Sequence, residues 1–539
     1  MGEAAPTNWR DHIRVWREKD ASPLPASAPE EKAKIVVVGT GPVGLAQAID
    51  LGQRGHDVIV LGRVDFVPAG SKAICFSKRS LDILDRLGVG EQAVSRGVVW
   101  NVGKVFWGDG SEPVYQFDML PVKNQKMPGF INIQQYYLED LLLERVAHLP
   151  NVDLRWGHDV VTVEPGEQTA RIGVSAAAGS YHIETEWLIA CDGNKSKVRD
   201  LLGLDFDGRV FEDNFLIADI RMKGERPSER WFWFDPPFNP GQSALMHKQP
   251  DDVWRLDFQL GWNIDREACI RPENVDPLVR AMLGDDVEYE PEWYSVYTFQ
   301  CRRMARFVHG RVLFAGDSAH LVSPFGARGC NGGFADIDNL GWKLDLVLRG
   351  EADVSLLESY NEEAIATADE NILNSTRSTD FITPKSRMST IFRDTVLELS
   401  REFPFARGFV NSGRLSTAVS YPGSALNTLD VDDWRGTGLA PGAPALDAPL
   451  DQGWLMEKLG GGFVLLVNGD PGLDIPGVEP LDISDRSQTD LLIGRYDLAA
   501  GSAYLIRPDQ YVAARWKAPN APAIAEALAR AKGVAVSCR

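Results

Sequence analysis

The stretch KIVVVGTGPVGLAQAI, Lys34 to Ile49, decides the fold. Ile35 to Val38 read as a buried strand, Gly39, Gly41 and Gly44 give the spacing GxGxxG, and a helical pattern from Leu45 stops at Gly55. A second apolar run, Val58 to Leu61, completes a βαβ unit. In such a unit the first glycine makes a tight turn, the second admits a close backbone approach, and the third lets helix and strand pack. The helix N-terminus offers free N–H groups and a positive dipole end to phosphates. The pattern points to a dinucleotide. One position departs from it: where the second strand ends and a ribose-binding Asp or Glu is expected, DVIVLGR places Gly62.

Composition limits the partners. A chain of 539 residues exceeds one ordinary core, so two to four domains are expected. The net charge of -20 argues against nucleic acid and against an anionic membrane, because phosphate binding wants a basic face. The six cysteines, Cys75, Cys191, Cys269, Cys301, Cys330 and Cys538, form no CxxC pair and no metal spacing, and the eight histidines form no ligand cluster. They read as thiols of a reducing compartment, with no metal site. No apolar run approaches the ~20 residues of a membrane span. The N-terminal stretch lacks an apolar signal core. A cytoplasmic location is expected.

Outward from the glycine turn the chain divides into parts. Residues 1–33 are an extension ending in ASPLPASAPEE, a linker or draped arm in which NWRDHIRVW could form one short amphipathic helix. Residues 34–205 form the first part of the dinucleotide-binding domain, and 308–380 its second part. The inserted residues 206–307, with FLIADIRM, ERWFWF, VWRLDFQL and WYSVYTF, alternate as an antiparallel sheet over one buried face. Residues 381–430 are a helical connection and a Pro/Gly/Asp-rich linker, and 431–539 a small domain of strands and a helix. The fold class is α/β.

Two further motifs carry chemistry. In ACDGNKSKVRD, Asp192 and Gly193 end a strand and Ser196 with Arg199 opens a helix. In VLFAGDSAHLVSPFGARGCNGGFADIDNLGWKL a strand delivers Gly316 and Asp317, whose carboxylate can accept hydrogen bonds from a ribityl hydroxyl. Pro324, Gly326, Gly329, Cys330, Asn331 and Gly332 then make a loop of exposed backbone that runs into a helix. Such a glycine run costs conformational entropy that structural turns seldom require. Aimed at a flavin pyrimidine ring, its N–H groups and the helix dipole would stabilise negative charge there.

In this order and spacing, the three motifs resemble those of the single-component FAD-dependent aromatic hydroxylases, the class A flavoprotein monooxygenases. The likeness covers roughly residues 34 to 350 and is nearest to the phenol, 2-hydroxybiphenyl and 3-(3-hydroxyphenyl)propionate hydroxylases. Those carry a thioredoxin-like C-terminal domain, which the strands and helix after Asp430 resemble. The missing CxxC there leaves packing and dimer support as its role, and a homodimer is expected. The resemblance implies non-covalent FAD, with NAD(P)H and O2 as co-substrates and a C4a-hydroperoxyflavin that hydroxylates a phenol. A non-hydroxylating FAD-dependent oxidoreductase or reductase of the same fold is the alternative.

Carried over residue by residue, the likeness makes Gly39, Gly41, Pro42, Val43, Gly44, Asp192, Gly316, Asp317, Pro324, Gly326, Gly329, Cys330 and Asn331 cofactor-binding. Lys72, in AGSKAICFSKRS, and Gln135, in NIQQYYLED, join them, with Gln134 a rival of Gln135. Gly62 takes the place of the acid that holds the adenosine ribose, with Arg63 or Asp65 in reach. One such lost contact costs ~1–3 kcal/mol, which the remaining contacts can absorb. Pro324 corresponds to a proline beside the reactive edge of the flavin. On the substrate side, His247 and Gln249 stand where hydroxybenzoate-type members grip a carboxylate with serine and arginine, so a phenol without a ring carboxylate is expected. Trp231, Trp233 and Phe258 are read either as an aromatic slot or as core. His247 is read either as acceptor of the phenol proton or as a hydrogen-bonded structural histidine.

Overall fold

Three strands far apart in sequence end side by side. The parallel registers set Val38 beside Leu61 and beside Ala190, and Ala190 beside Phe314. The carboxyl ends of Glu30–Val38, Val58–Gly62, Gly179–Ala190 and Val312–Phe314 therefore form one edge, and each of the three sequence motifs begins there. The sheet runs in the order 152–156, 58–62, 30–38, 179–190, 170–176, 159–165, with 312–314 along the second half of 179–190. Its central strands are apolar on both faces because helices cover both: Ile35 to Val37 and Val312 to Phe314 are fully enclosed. This computed structural model describes residues 15–70, 72–110, 112–222, 226–410, 416–434, 437–469, 472, 475–484 and 489–534.

The N-terminal arm is docked. Most of NWRDHIRVW lies outside the described residues, but Val15–Glu18 is a strand, paired antiparallel with Phe66–Pro68. Trp16 stacks on Tyr136 at 4.2 Å between ring centroids and donates Nε1–H to Asp140 at 2.9 Å.

The second sheet is larger than the insert expected to form it. Its order is 320–321, 289–303, 207–222, 253–259, 243–248, 230–234, 102–107, 115–118. Two strands come from before residue 206, and Val102–Trp107 pairs parallel with Arg230–Phe234, so the sheet is neither confined to 206–307 nor wholly antiparallel. The short run VGKVFW is interrupted by Gly103, which hides its strand character. That glycine is required, because a Cβ there would lie 2.1 Å from the Phe117 ring.

Leu216, Ala218, Met246, Leu256 and Phe258 form one face of this sheet, packed with Val275 and Val279 of the helix Pro272–Leu283. The opposite face carries Phe215, Phe232, Leu245 and Phe299, packed with Phe325 of the glycine loop. That face looks toward the motifs.

The long helices Gly329–Leu348 and Leu356–Ile382 lead to the terminal domain. Its sheet runs 478–482, 463–467, 503–506, 512–516, the first pair parallel and the others antiparallel. Buried ions join it to the rest: Arg507 bonds Glu363 at 2.7 and 2.8 Å, and Lys343 reaches the same carboxylate at 2.8 Å. Burial alone would raise the Glu363 carboxyl, but the Arg507 and Lys343 charges outweigh it and hold it well below its ordinary range. Among the described residues no helix is long and apolar enough to cross a membrane. The described cysteines are free thiols, and Cys538 lies outside the described residues.

Candidate functional site

The glycine turn is built as its spacing requires. Gly39 has φ +119°, and a Cβ there would lie 2.3 Å from the Cys191 carbonyl oxygen. A Cβ on Gly44 would lie 2.0 Å from the Gly39 oxygen. Both glycines serve close packing between strand, turn and helix. At Gly41 a Cβ meets no atom within 4 Å, so protein packing does not require this glycine and the space beside it is open to a ligand's close approach. It caps the helix Pro42–Gln53 without a side-chain bond to the first turn, which leaves that turn's N–H groups for an anion.

Gly62 has a local cause. A Cβ there would lie 2.6 Å from Thr40 Cγ2, inside the glycine turn, so Thr40 occupies the space in which an acidic side chain would begin. Arg63, just beyond, is exposed.

At the second and third motifs the acids are poised differently. Val198 N–H donates to Asp192 Oδ2 at 3.1 Å, while Oδ1 is buried with no partner among the described residues. Burial raises the Asp192 carboxyl above its usual range. Gly316 (φ +66°) packs under Val43 and opens the short turn that presents Asp317. Burial raises the Asp317 carboxyl, against the opposing charges of His320 and Lys72. A buried pair that the sequence reading missed fixes this turn: Asp336 accepts from Gly316 N–H at 2.8 Å and holds His320 Nε2 at 2.6 Å. Both residues lie inside the quoted third motif, and the helical period could have marked Asp336 as a polar residue on a buried face.

The glycine loop is anchored at both ends. Phe325 wedges against Phe215 and Phe299, each at 5.1 Å, leaving Pro324 exposed. Gly326 has φ +94°, and its carbonyl accepts from Ser416 N–H at 2.7 Å. The Asn331 side chain is committed to the fold, accepting from Ser80 Oγ at 2.6 Å and Ser77 N–H at 3.0 Å and donating to the Cys75 carbonyl at 3.0 Å. What it can offer a ligand is its backbone N–H, with those of Gly329 and Cys330 in the first helical turn. Burial pushes the Cys330 thiol far up.

Lys72 is exposed, on a loop held by Gln135 Oε1 accepting from Ala73 N–H at 3.1 Å. Its rival Gln134 is buried and donates to the Pro250 carbonyl at 3.1 Å, beside the substrate sheet. Gln135 also donates to Glu139 at 2.9 Å, and burial pushes that carboxyl up to about 8. Glu139 gave no sign in the sequence beyond its place one turn after Gln135.

On the substrate sheet, Phe258 and Trp233 belong to the face turned away from the glycine loop: Phe258 is fully buried and Trp233 stacks on Phe106 at 5.2 Å. Trp231 lies on that face too. The strands alternate, and these positions fall on the outward parity. Gln249 has the inward parity but is enclosed, donating at 3.1 Å to Asp219, which Arg255 grips at 2.7 and 2.8 Å. Of the expected substrate side chains the fold thus brings His247 and Pro324 toward the motifs, and not Trp233, Phe258 or Gln249. His247 is buried, with Nδ1 3.8 Å from Cys75 Sγ and Nε2 3.8 Å from Asp257 Oδ2. Burial lowers its pKa, but its interactions with Cys75 and Asp257 outweigh that and raise it. No group of three or more metal-ligating side chains occurs among the described residues.

The arrangement fits FAD. Gly41 at an uncapped helix N-terminus suits a pyrophosphate, Asp317 and the unpartnered Asp192 oxygen suit ribityl or ribose hydroxyls, and the loop N–H groups suit a pyrimidine edge. The family model described as "FAD binding domain" matches residues 32–375. A 3-(3-hydroxy-phenyl)propionate/3-hydroxycinnamic acid hydroxylase of Escherichia coli is 28% identical over 405 residues, 74% of this chain and 71% of the relative. A second hydroxylase of that name, from Burkholderia vietnamiensis, is 26% identical over 527 residues, 90% of this chain and 94% of the relative. The flavin-dependent monooxygenase PieE, solved with FAD and substrate, superposes with a TM-score of 0.77 at 21% identity, over 94% of this chain and all (100%) of that one. Aklavinone-11 hydroxylase, solved with FAD and aklavinone, gives 0.76 at 20% identity, over 93% of this chain and 99% of that one.

Proposed function

Because the chain belongs to the FAD binding domain family, we propose that it is an FAD-dependent monooxygenase that hydroxylates a phenolic aromatic compound with NAD(P)H and O2. The observation that carries this reading is the meeting of Gly41, Asp192, Asp317 and the glycine loop at one sheet edge, opposite a sheet face that presents His247. Bound FAD supplies the reduction by the nicotinamide and the activation of oxygen. The chain's residues do the rest. The N–H groups of Gly41 and the following helix turn take the phosphates, and Asp192 and Asp317 take sugar and ribityl hydroxyls. Lys72 and Gln135 flank them. The N–H groups of Gly329, Cys330 and Asn331 hold negative charge at the ring, and Pro324 with Phe325 limits water beside it. A phenol without a ring carboxylate is favoured, since His247 and Gln249 stand where a carboxylate grip would be.

The terminal domain is read as thioredoxin-like: its strand order, second, first, third, fourth with only the first pair parallel, supports this. Lacking CxxC, it serves packing. A homodimer is part of the reading, supported by the exposed Met388, Ile391, Phe392, Phe405 and Phe409 around one pair of helices. The free thiols support a cytoplasmic location.

The test is oxygen uptake driven by NADH or NADPH in the FAD-loaded protein, with and without a panel of phenols. A hydroxylase is expected to couple phenol-stimulated uptake to hydroxylated product. Coenzyme oxidation that never yields hydroxylated product would overturn the reading in favour of a reductase.

A further inference from the structure

The half-buried Asp257 carries an implication that the sequence pattern did not suggest. It lies on Val253–Gln259 beside Leu245 and Ile217, on the sheet face turned toward the glycine loop. Its side chain is 17% exposed, whereas that of His247 is 5% exposed. Behind it runs a line of polar contacts. Cys75 Sγ–H donates to Asn132 Oδ1 at 3.1 Å, His247 Nδ1 sits 3.8 Å from that sulfur, and Nε2 faces Asp257 Oδ2 at 3.8 Å. The other end of the line is tied to the glycine loop, because the Cys75 carbonyl accepts from Asn331. With the thiol hydrogen given to Asn132, His247 Nδ1–H is the donor to sulfur. That leaves Nε2 as the nitrogen that titrates, and it points at Asp257. His247 Nε2 is buried and has no hydrogen-bond partner among the described residues. The other charges acting on Asp257 come from Arg230 on the next strand but one and Arg255 on its own.

Resting on the reading above, we propose that Asp257 is the group that takes the substrate's phenolic proton, with His247 and Cys75 as positioning residues behind it. His247 is too enclosed to touch a substrate oxygen; Asp257 is the member of the line that is open to one. The phenolic O–H bond breaks and an O–H bond forms on a carboxylate oxygen of Asp257, while the oxygen's electron pair is released into the ring. When the hydroxylated ring carbon later gives its own hydrogen to water as a proton, Asp257 returns the phenolic proton to the oxygen and is left ionised as it began. The positive charges of His247 and the two guanidiniums favour the phenolate that the transfer leaves behind. The same carboxylate disfavours substrates with a second anionic group next to the hydroxyl.

The test uses the FAD-loaded protein, Asp257→Asn and His247→Gln. The first readout is the visible absorbance of bound 4-nitrophenol as pH is varied. The parent is expected to bind it as the anion below its solution pKa, and Asp257→Asn is expected to lose that shift. The second is hydroxylation of a fluorinated phenol series. Asp257→Asn should slow by on the order of a hundredfold with weakly acidic phenols and recover with the most acidic ones or at high pH. His247→Gln should move the pH profile with a smaller loss of rate. An unchanged bound-phenol pKa in Asp257→Asn, or a loss equal for all phenols at every pH, overturns the proposal. If the parent hydroxylates no phenol, the reading of function fails on its own, while the nitrophenol titration still decides whether Asp257 is the acceptor.

Discussion

Restoring the missing ribose acid gives a sharp prediction, because the structure changes what Gly62→Glu alone should do. The new Cβ would lie 2.6 Å from Thr40 Cγ2 and 3.2 Å from Thr40 Oγ1, where carbon contacts ordinarily stop at about 3.5–4.0 Å. Overpacking of this kind costs ~1–3 kcal/mol of stability. Thr40 sits between Gly39 and Gly41, so relieving the overlap also moves the backbone that approaches the pyrophosphate. A charged hydrogen bond to the ribose would contribute ~1.5–3 kcal/mol, and the displaced turn offsets it. Gly62→Glu alone should therefore lower thermal stability and bind FAD no more tightly than the parent. Thr40→Ala removes both crowding atoms. In the double variant stability should return and FAD should bind ~10- to 100-fold more tightly. The assay is flavin fluorescence titration and thermal unfolding of all four proteins, read as a double-mutant cycle with a coupling of ~1–3 kcal/mol. If Gly62→Glu alone is as stable as the parent and tightens FAD as much as the double variant, Thr40 does not explain Gly62.

Asp317→Ala should fold as stably as the parent, since its carboxylate takes no hydrogen bond from the described residues and burial disfavours its charge. Purified under identical conditions it should be largely flavin-free, and full FAD occupancy would remove Asp317 from the site. Gly326→Val places a branched side chain at φ +94° and pulls its carbonyl from Ser416, at a cost of ~1–3 kcal/mol. The fold should survive, with FAD lost or coenzyme consumed to hydrogen peroxide in place of product. Peroxide and product measured per coenzyme test this, and undiminished coupling would move the active site elsewhere. Glu363→Gln leaves Lys343 buried without its counter-charge and Arg507 with Asp509 alone, and should cost ~3–5 kcal/mol in thermal or denaturant unfolding. Because the Glu363 carboxyl is held low, its contribution is complete above the ordinary carboxylate range and fades as pH falls below it. The gap between parent and variant should therefore narrow below about pH 4.

The sequence by itself determined the dinucleotide-binding unit and the three motifs with their order. Those features rest on local physics: glycine at positive φ, apolar runs of strand length, and helix starts that follow them. Gly39 and Gly316 could be read because positive φ is a demand of the local backbone, and Gly44 because its crowding comes from Gly39 in the same turn. Only the tertiary structure decided which strands are neighbours, because pairing of Val38 with Ala190 or of Phe232 with Val105 bridges more than a hundred residues and leaves no periodic trace. It also decided which side of the substrate sheet faces the glycine loop. Bulk made Trp233 and Phe258 look like a ring-binding slot, but a strand turns every second residue outward, and the loop's Phe325 packs on the parity of Phe215 and Phe299. The same parity brought Asp257 in front of a buried His247 and tied Gln249 to Asp219. Gly62, the anomaly of the opening strand, was visible in the sequence, but its cause was not, because it lies in Thr40 across the turn.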